Sequence, residues 1–131
     1  MDSVTQQDEQ TMVEVSTLLK ALGEPNRLRI FDELMTGDSC NCELTEKLGM
    51  PSNLLSHHLR VLSEAGLVNS RRDMVDARWI YYTVDREAAA RWQAWFNQFL
   101  DPQRIQERIV CGPEGQQMFA KSSYVALDGV D

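Results

Sequence analysis

A chain of 131 residues with 43% hydrophobic and 25% charged side chains fits one globular domain and excludes global disorder. No apolar run approaches membrane-spanning length, and the acidic, polar start MDSVTQQDEQ excludes a basic secretory leader, so a cytoplasmic location without a membrane partner is expected. The net charge of −7 argues against nucleic-acid binding only if it is evenly spread, and it is not. Residues 1–51 hold four Lys/Arg against ten Asp/Glu, and residues 85–131 hold five against seven, whereas residues 52–84 hold four against three. That middle segment can meet phosphates while the remaining surface repels them.

Residues 1–9 show no periodicity and read as a flexible arm. From Gln10 to Leu22, Val13, Leu18, Leu19 and Leu22 sit at helical spacing, and Gly23 ends the segment. Glu24 to Gly37 predicts a second helix, with Pro25 at its first position and Leu28, Phe31, Leu34 and Met35 as its apolar stripe. The stretch DSCNC reads as a loop leading into a short helix, ELTEKLGM, that ends at Gly49. In PSNLLSHHLRVLSEAGL, Pro51 breaks that helix and Ser52 can cap the next, with Leu55, Leu59 and Leu62 on one side and Gly66 as the stop. The opposite side carries Asn53, Ser56, His57 and Arg60. Two helices joined by a tight glycine turn form a helix-turn-helix, whose second helix enters the DNA major groove. His57 lies on the polar side and suits a DNA contact, while His58 lies nearer Leu55 and Leu62 and suits helix packing.

After Gly66 the pattern alternates. LVNSRR, DMVDA and RWIYYTV read as a β-hairpin with Ile80, Tyr82 and Val84 on one face and Arg71, Arg72 and Arg78 flanking the turn. Behind a helix-turn-helix such a hairpin is a wing, placed to meet phosphates or the minor groove. Arg86 to Leu100 predicts a helix with Ala88, Trp92, Trp95, Phe96 and Phe99 along one side, a stripe oversized for a monomer and read as a homodimer interface. PQRIQERIV suggests a short further helix, and residues 101–131 form a C-terminal extension that carries Cys111 and ends in a loosely attached tail. The expected fold is mainly α with a β-hairpin wing: a homodimeric winged helix-turn-helix spanning residues 10–100.

In a reducing compartment Cys40, Cys42 and Cys111 are metal ligands or reactive thiols, not a disulfide framework. A helix N-terminus favours the thiolate, and two thiolates one residue apart can chelate one ion only from a loop or helix end, since mid-helix they diverge by about 200°. Thiolates select soft metals and metalloids over calcium or magnesium. A thiol redox switch and a cadmium or lead sensor are the alternatives the residues leave open. No phosphate loop, nucleophile elbow or zinc-protease motif is present, so neither an enzyme nor an organic cofactor is expected.

LGEPNRLRIFDEL, CNCEL, SHHLRVLSEAGLV and RWIYYTV, in that order over about residues 10–100, resemble the arsenic-repressor (ArsR/SmtB) family of winged-helix regulators. The resemblance implies a homodimer, built on the first and last helices, that binds double-stranded operator DNA when metal-free. It implies release when trivalent arsenic or antimony binds cysteine thiolates. Cys-x-Cys followed by an acidic residue and Leu, as in the arsenic-sensing branch, is matched by Cys40, Cys42, Glu43 and Leu44. Thr45 stands where some members place a further cysteine, and residues 1–39 contain none, which leaves Cys111 as the candidate third sulfur, from the same chain or its mate. The family's dimer-helix zinc site uses histidine, and Arg86 to Leu100 has no histidine. Ser52, Asn53, Ser56 and His57 are expected at base edges or nearby phosphates, and Arg60, Arg71, Arg72 and Arg78 on the DNA backbone.

Overall fold

The computed structural model describes residues 2–117, with side chains from Asp8 onward. In chain order it contains α1 (Asp2–Leu22), α2 (Pro25–Met35), β1 (Ser39–Cys40), α3 (Asn41–Leu48), α4 (Ser52–Glu64), β2 (Val68–Arg72), β3 (Ile80–Val84) and α5 (Arg86–Phe99). The three strands make one antiparallel sheet in the order β1-β3-β2. This is the winged helix-turn-helix that the sequence predicts. Among the described residues no helix is long and apolar enough to cross a membrane.

The chain divides into two compact units, residues 1–94 and residues 95 onward. The core of the first collects Val15, Leu18 and Ala21 of α1, Ile30 and Leu34 of α2, Leu44 of α3 and Leu55, Leu59 and Leu62 of α4. α1 begins at Asp2, so residues 2–9, expected as an arm, continue the helix. With no Pro or Gly before Gly23, nothing in the sequence interrupts the helix. At the start of α2, Glu24 accepts from the Arg27 backbone N–H, while the Arg27 side chain reaches back to the carbonyls of Lys20 and Ala21. One arginine thereby satisfies carbonyls that the end of α1 leaves unpaired.

Gly49 takes the left-handed conformation (φ 63°) that closes α3 and turns the chain toward α4. Pro51, rather than Ser52, is the N-cap of α4, and no side chain caps it; Ser52 is the first helical residue. The stretch expected as a loop before α3 contains β1, which pairs Ser39 with Tyr82 and Cys40 with Tyr81. Two residues are too few for alternation to show, and the pairing is specified by the β-branched and aromatic partner strand.

β2 and β3 pair from Val68↔Val84 to Arg72↔Ile80, which leaves residues 73–79 as the wing loop. In place of glycine, Asp73 organises it. Its Oδ1 accepts from the backbone N–H groups of Val75 (2.7 Å) and Asp76 (2.9 Å), and its Oδ2 accepts from the Tyr81 hydroxyl (2.8 Å). The Asp73 N–H donates to the Trp79 carbonyl at 2.8 Å.

In the second unit Trp95 stacks on Phe99 at 4.4 Å and meets Phe96 edge-on at 5.0 Å. The helix expected over PQRIQERIV shrinks to a 3-10 turn, Pro102–Arg104, capped by Asp101. Ile105, Ile109 and Val110 beyond it stay exposed, so no buried face exists to propagate a helix. Residues 113–117 form one helical turn, and the rest of the expected tail lies outside the described residues.

Candidate functional site

The sulfur pair is built by the first turn of α3. Cys40 is the N-cap: its Sγ accepts from the Glu43 N–H at 3.4 Å, and Glu43 Oε1 accepts from the Cys40 N–H at 3.2 Å. This is a capping box with sulfur where a serine or threonine hydroxyl usually sits. Cys42 follows within the same turn, and the two sulfurs are 2.8 Å apart in a hydrogen bond. Cys40 is buried and Cys42 exposed. The pair thus occupies a helix end, where two sulfurs one residue apart can converge.

Burial pushes the Cys40 thiol up from its ordinary value, and the bond with Cys42 adds to this. That opposes the thiolate preference expected of a helix N-terminus. Both effects favour the protonated thiol, so a soft cation bound there would displace a proton. Hydrogen bonds from the Cys40 backbone and side chain hold the Glu43 carboxyl below the usual range.

The pair opens onto a cleft of about 560 Å³ whose walls include Thr45, Ser52, Arg78, Trp79 and Tyr82. One concave surface therefore touches the cysteines, the first residue of α4 and the base of the wing. Asn41 Oδ1, on the same turn, is buried without a hydrogen-bond partner, while the Asn41 amide nitrogen lies 3.5 Å from Ser52 Oγ. Among the described residues no group of three or more His, Cys, Asp or Glu is arranged to hold a metal ion. Cys40 and Cys42 offer two soft bonds, which fits part of the set a trivalent ion requires. Cys111 is exposed and belongs to the second unit.

On α4, Ser52, Asn53, Ser56, His57 and Arg60 are all exposed, opposite the buried Leu55, Leu59 and Leu62. Arg60 approaches His57 Nδ1 at 3.2 Å. His58 is buried, with Nδ1 3.1 Å from the Arg27 guanidinium and Nε2 3.6 Å from Glu24. Burial holds it below the ordinary histidine value; Glu24 opposes that shift and Arg27 adds to it. It is the packing residue that its position on the apolar side suggests.

The wing arginines are exposed and tethered. Arg71 lies over the Tyr81 ring at 4.8 Å and 3.9 Å from Asp38. Arg72 donates to the Ala77 carbonyl at 2.7 Å, and Arg78 grips Asp76 through Nε (3.0 Å) and Nη2 (2.8 Å). These tethers, and the role of Trp79 and Tyr82 as cleft walls, were not readable from spacing. A bulky aromatic beside a wing arginine is the signal that points to Trp79.

The family described as bacterial regulatory protein, arsR family, matches residues 24–70. A biofilm growth-associated repressor of Agrobacterium fabrum is 40% identical over 83 residues, covering 63% of this chain and 68% of that protein. The chain belongs to the ArsR family. ArsR proteins are DNA-binding transcriptional regulators and not enzymes. An arsenical resistance operon repressor of Staphylococcus xylosus is 42% identical over 60 residues, 46% of this chain. That match spans 58% of the staphylococcal protein's own length. Among solved structures, the transcriptional repressor BigR from Xylella fastidiosa aligns with a TM-score of 0.58 at 30% identity, covering 79% of this chain and 99% of that one.

Proposed function

We propose that this ArsR-family protein is a repressor that binds operator DNA as a homodimer and releases it when Cys40 and Cys42 hold trivalent arsenic or antimony. The observation that carries this reading is the sulfur pair, 2.8 Å apart at the N-cap of the helix against which α4 packs. The arsenical resistance repressor of Staphylococcus xylosus, 42% identical over 60 residues, supports the choice of ion.

Cys40 has two duties in this reading: it caps α3 and it would hold the ion. Drawing its sulfur off the Glu43 N–H leaves a helix donor unpaired, and an N-cap is worth about 1 kcal/mol. α4 packs on α3 in the core that contains Leu44, Leu55 and Leu59, so a disturbed first turn of α3 re-aims Ser52, Asn53, Ser56 and His57 in the groove. Arg60, Arg71, Arg72 and Arg78 supply the phosphate contacts. Dimerisation is supported by Met12, Val13 and Leu19, which α1 leaves exposed, and by the aromatic cluster of Trp95, Phe96 and Phe99. Cys111 is the candidate third sulfur.

The sulfur contact also favours a redox switch, in which Cys40 and Cys42 oxidise without metal. Because Cys40 is buried, such a switch would start at the exposed Cys42. Titrating reduced full-length protein with arsenite, antimonite, cadmium and lead, with thiols counted per ion and DNA release followed in parallel, separates these readings. Cys111→Ser, tested alongside, identifies or removes the third sulfur. Thiols that stay free while arsenite releases the DNA would overturn the proposal.

A further inference from the structure

The two most exposed apolar side chains among the described residues are neighbours: Met74 at 95% and Val75 at 97% relative exposure, at the tip of the wing. Single exposed apolar residues are ordinary, but here the surrounding loop is rigidly built to present the pair. Asp73 takes the N–H groups of Val75 and Asp76 and the Tyr81 hydroxyl, and Asp76 takes the Arg78 guanidinium and the Arg78 N–H. Both carboxylates of the loop are therefore paired, Asp73 with backbone and Tyr81 and Asp76 with Arg78. Arg71 and Arg72 lie on the strand just before it. The arrangement is an apolar point on a hydrogen-bonded loop, with Arg71 and Arg72 on the strand beside it. A water-facing loop would have no reason to order such residues, whereas a preorganised contact loses less entropy on binding.

We infer that Met74 and Val75 form an apolar contact to the floor of the DNA minor groove, next to the major-groove site read by α4, and that they favour A·T over G·C there. The inference rests on the DNA-binding reading above. In the minor groove only G·C presents a protruding donor, the guanine N2 amino group, and an aliphatic tip cannot pair with it. Apolar side chains on minor-groove proteins likewise wedge against base steps, where cationic neighbours hold the phosphates. The wing would thus read composition, not sequence, in the segments flanking each half-site.

The test uses reduced full-length protein and an operator duplex recovered by selection from random DNA. Met74→Gln with Val75→Thr keeps the size of both side chains and the backbone bonds to Asp73, and removes only apolar character. Inosine replaces guanine in the flanks, deleting the minor-groove amino group while leaving the major-groove edge unchanged. The wild-type protein should bind the inosine duplex about tenfold more tightly than the guanine duplex. The double variant should lose that preference and bind more weakly at every salt concentration, with an unaltered salt slope, since no charge has been removed. Equal affinity of wild type and variant, or an inosine preference that survives in the variant, would overturn the inference while leaving DNA binding in place. Failure of the wild-type protein to enrich any duplex would instead remove the underlying reading, and this one with it.

Discussion

Replacing Cys40 by Ser separates its two duties. The serine hydroxyl is a better N-cap acceptor than a thiol, and the reciprocal bond from the Cys40 N–H to Glu43 is made by backbone, so the capping box survives. Cys40→Ala removes the acceptor and should cost about 1 kcal/mol, a fall of roughly 4–8 °C in melting temperature for a unit of this size. The expected order of thermal stability is wild type and Ser together, with Ala below. In operator binding, followed by anisotropy of a labelled duplex under reductant, Cys40→Ser should match wild type. Arsenite should then shift the wild-type midpoint by about 5–150-fold, a coupling of ~1–3 kcal/mol, and leave the serine variant unmoved. Linkage requires operator DNA to lower arsenite affinity by the same factor. A protein lacking both Cys40 and Cys42 thiols that still released DNA on arsenite addition would refute the mechanism. An alanine variant as stable as the serine one would refute the cap.

Arg72→Ala or Arg78→Ala should weaken binding to all duplexes alike and lower the salt slope by about one unit each, read from affinities across a salt series. Asn53→Ala or His57→Ala should instead narrow the gap between operator and random DNA, and an unchanged gap would remove them from base readout. Because His58 is held below its ordinary value of 6.5, the unfolded chain takes up the proton first. Stability is then fully present above that value and declines as pH falls through it, so the urea midpoint should drop as pH falls below about 6.5. His58→Gln should flatten that part of the profile, and a flat wild-type profile would show that the buried histidine is not felt. Sedimentation should give a dimer at micromolar concentration with recognition helices about 34–36 Å apart on DNA, and a stable monomer would end the dimer reading.

The helices were legible wherever an apolar period coincided with a breaker, as between Pro51 and Gly66 or Pro25 and Gly37. Elsewhere periodicity failed in both directions. It hid the helical continuity of residues 2–9 and suggested a helix beyond Asp101 that has nothing to pack on. The cysteine pair was visible as chemistry, but its environment was not. Spacing placed two thiols at a helix end, and only the fold shows that one caps the helix and is buried, the burial pushing its thiol up. β1 escaped notice because pairing across forty or more residues of intervening chain leaves no local trace in two residues.

That short strand has a consequence for anyone rebuilding this regulator. Ser39 and Cys40 are laddered to Tyr82 and Tyr81, and β3 in turn carries β2 along its other edge. Under the proposed function, the residue that would hold the ion is therefore already paired, through β3, to the hairpin that would meet DNA. A Cys-x-Cys segment grafted onto a related scaffold without this pairing would bind its ion and yet leave the operator occupied, giving a chelator that does not signal. Conversely, new ligands placed at Ser39 or Cys40 inherit the linkage ready-made, which makes these two positions the ones to redesign when a different inducer is wanted.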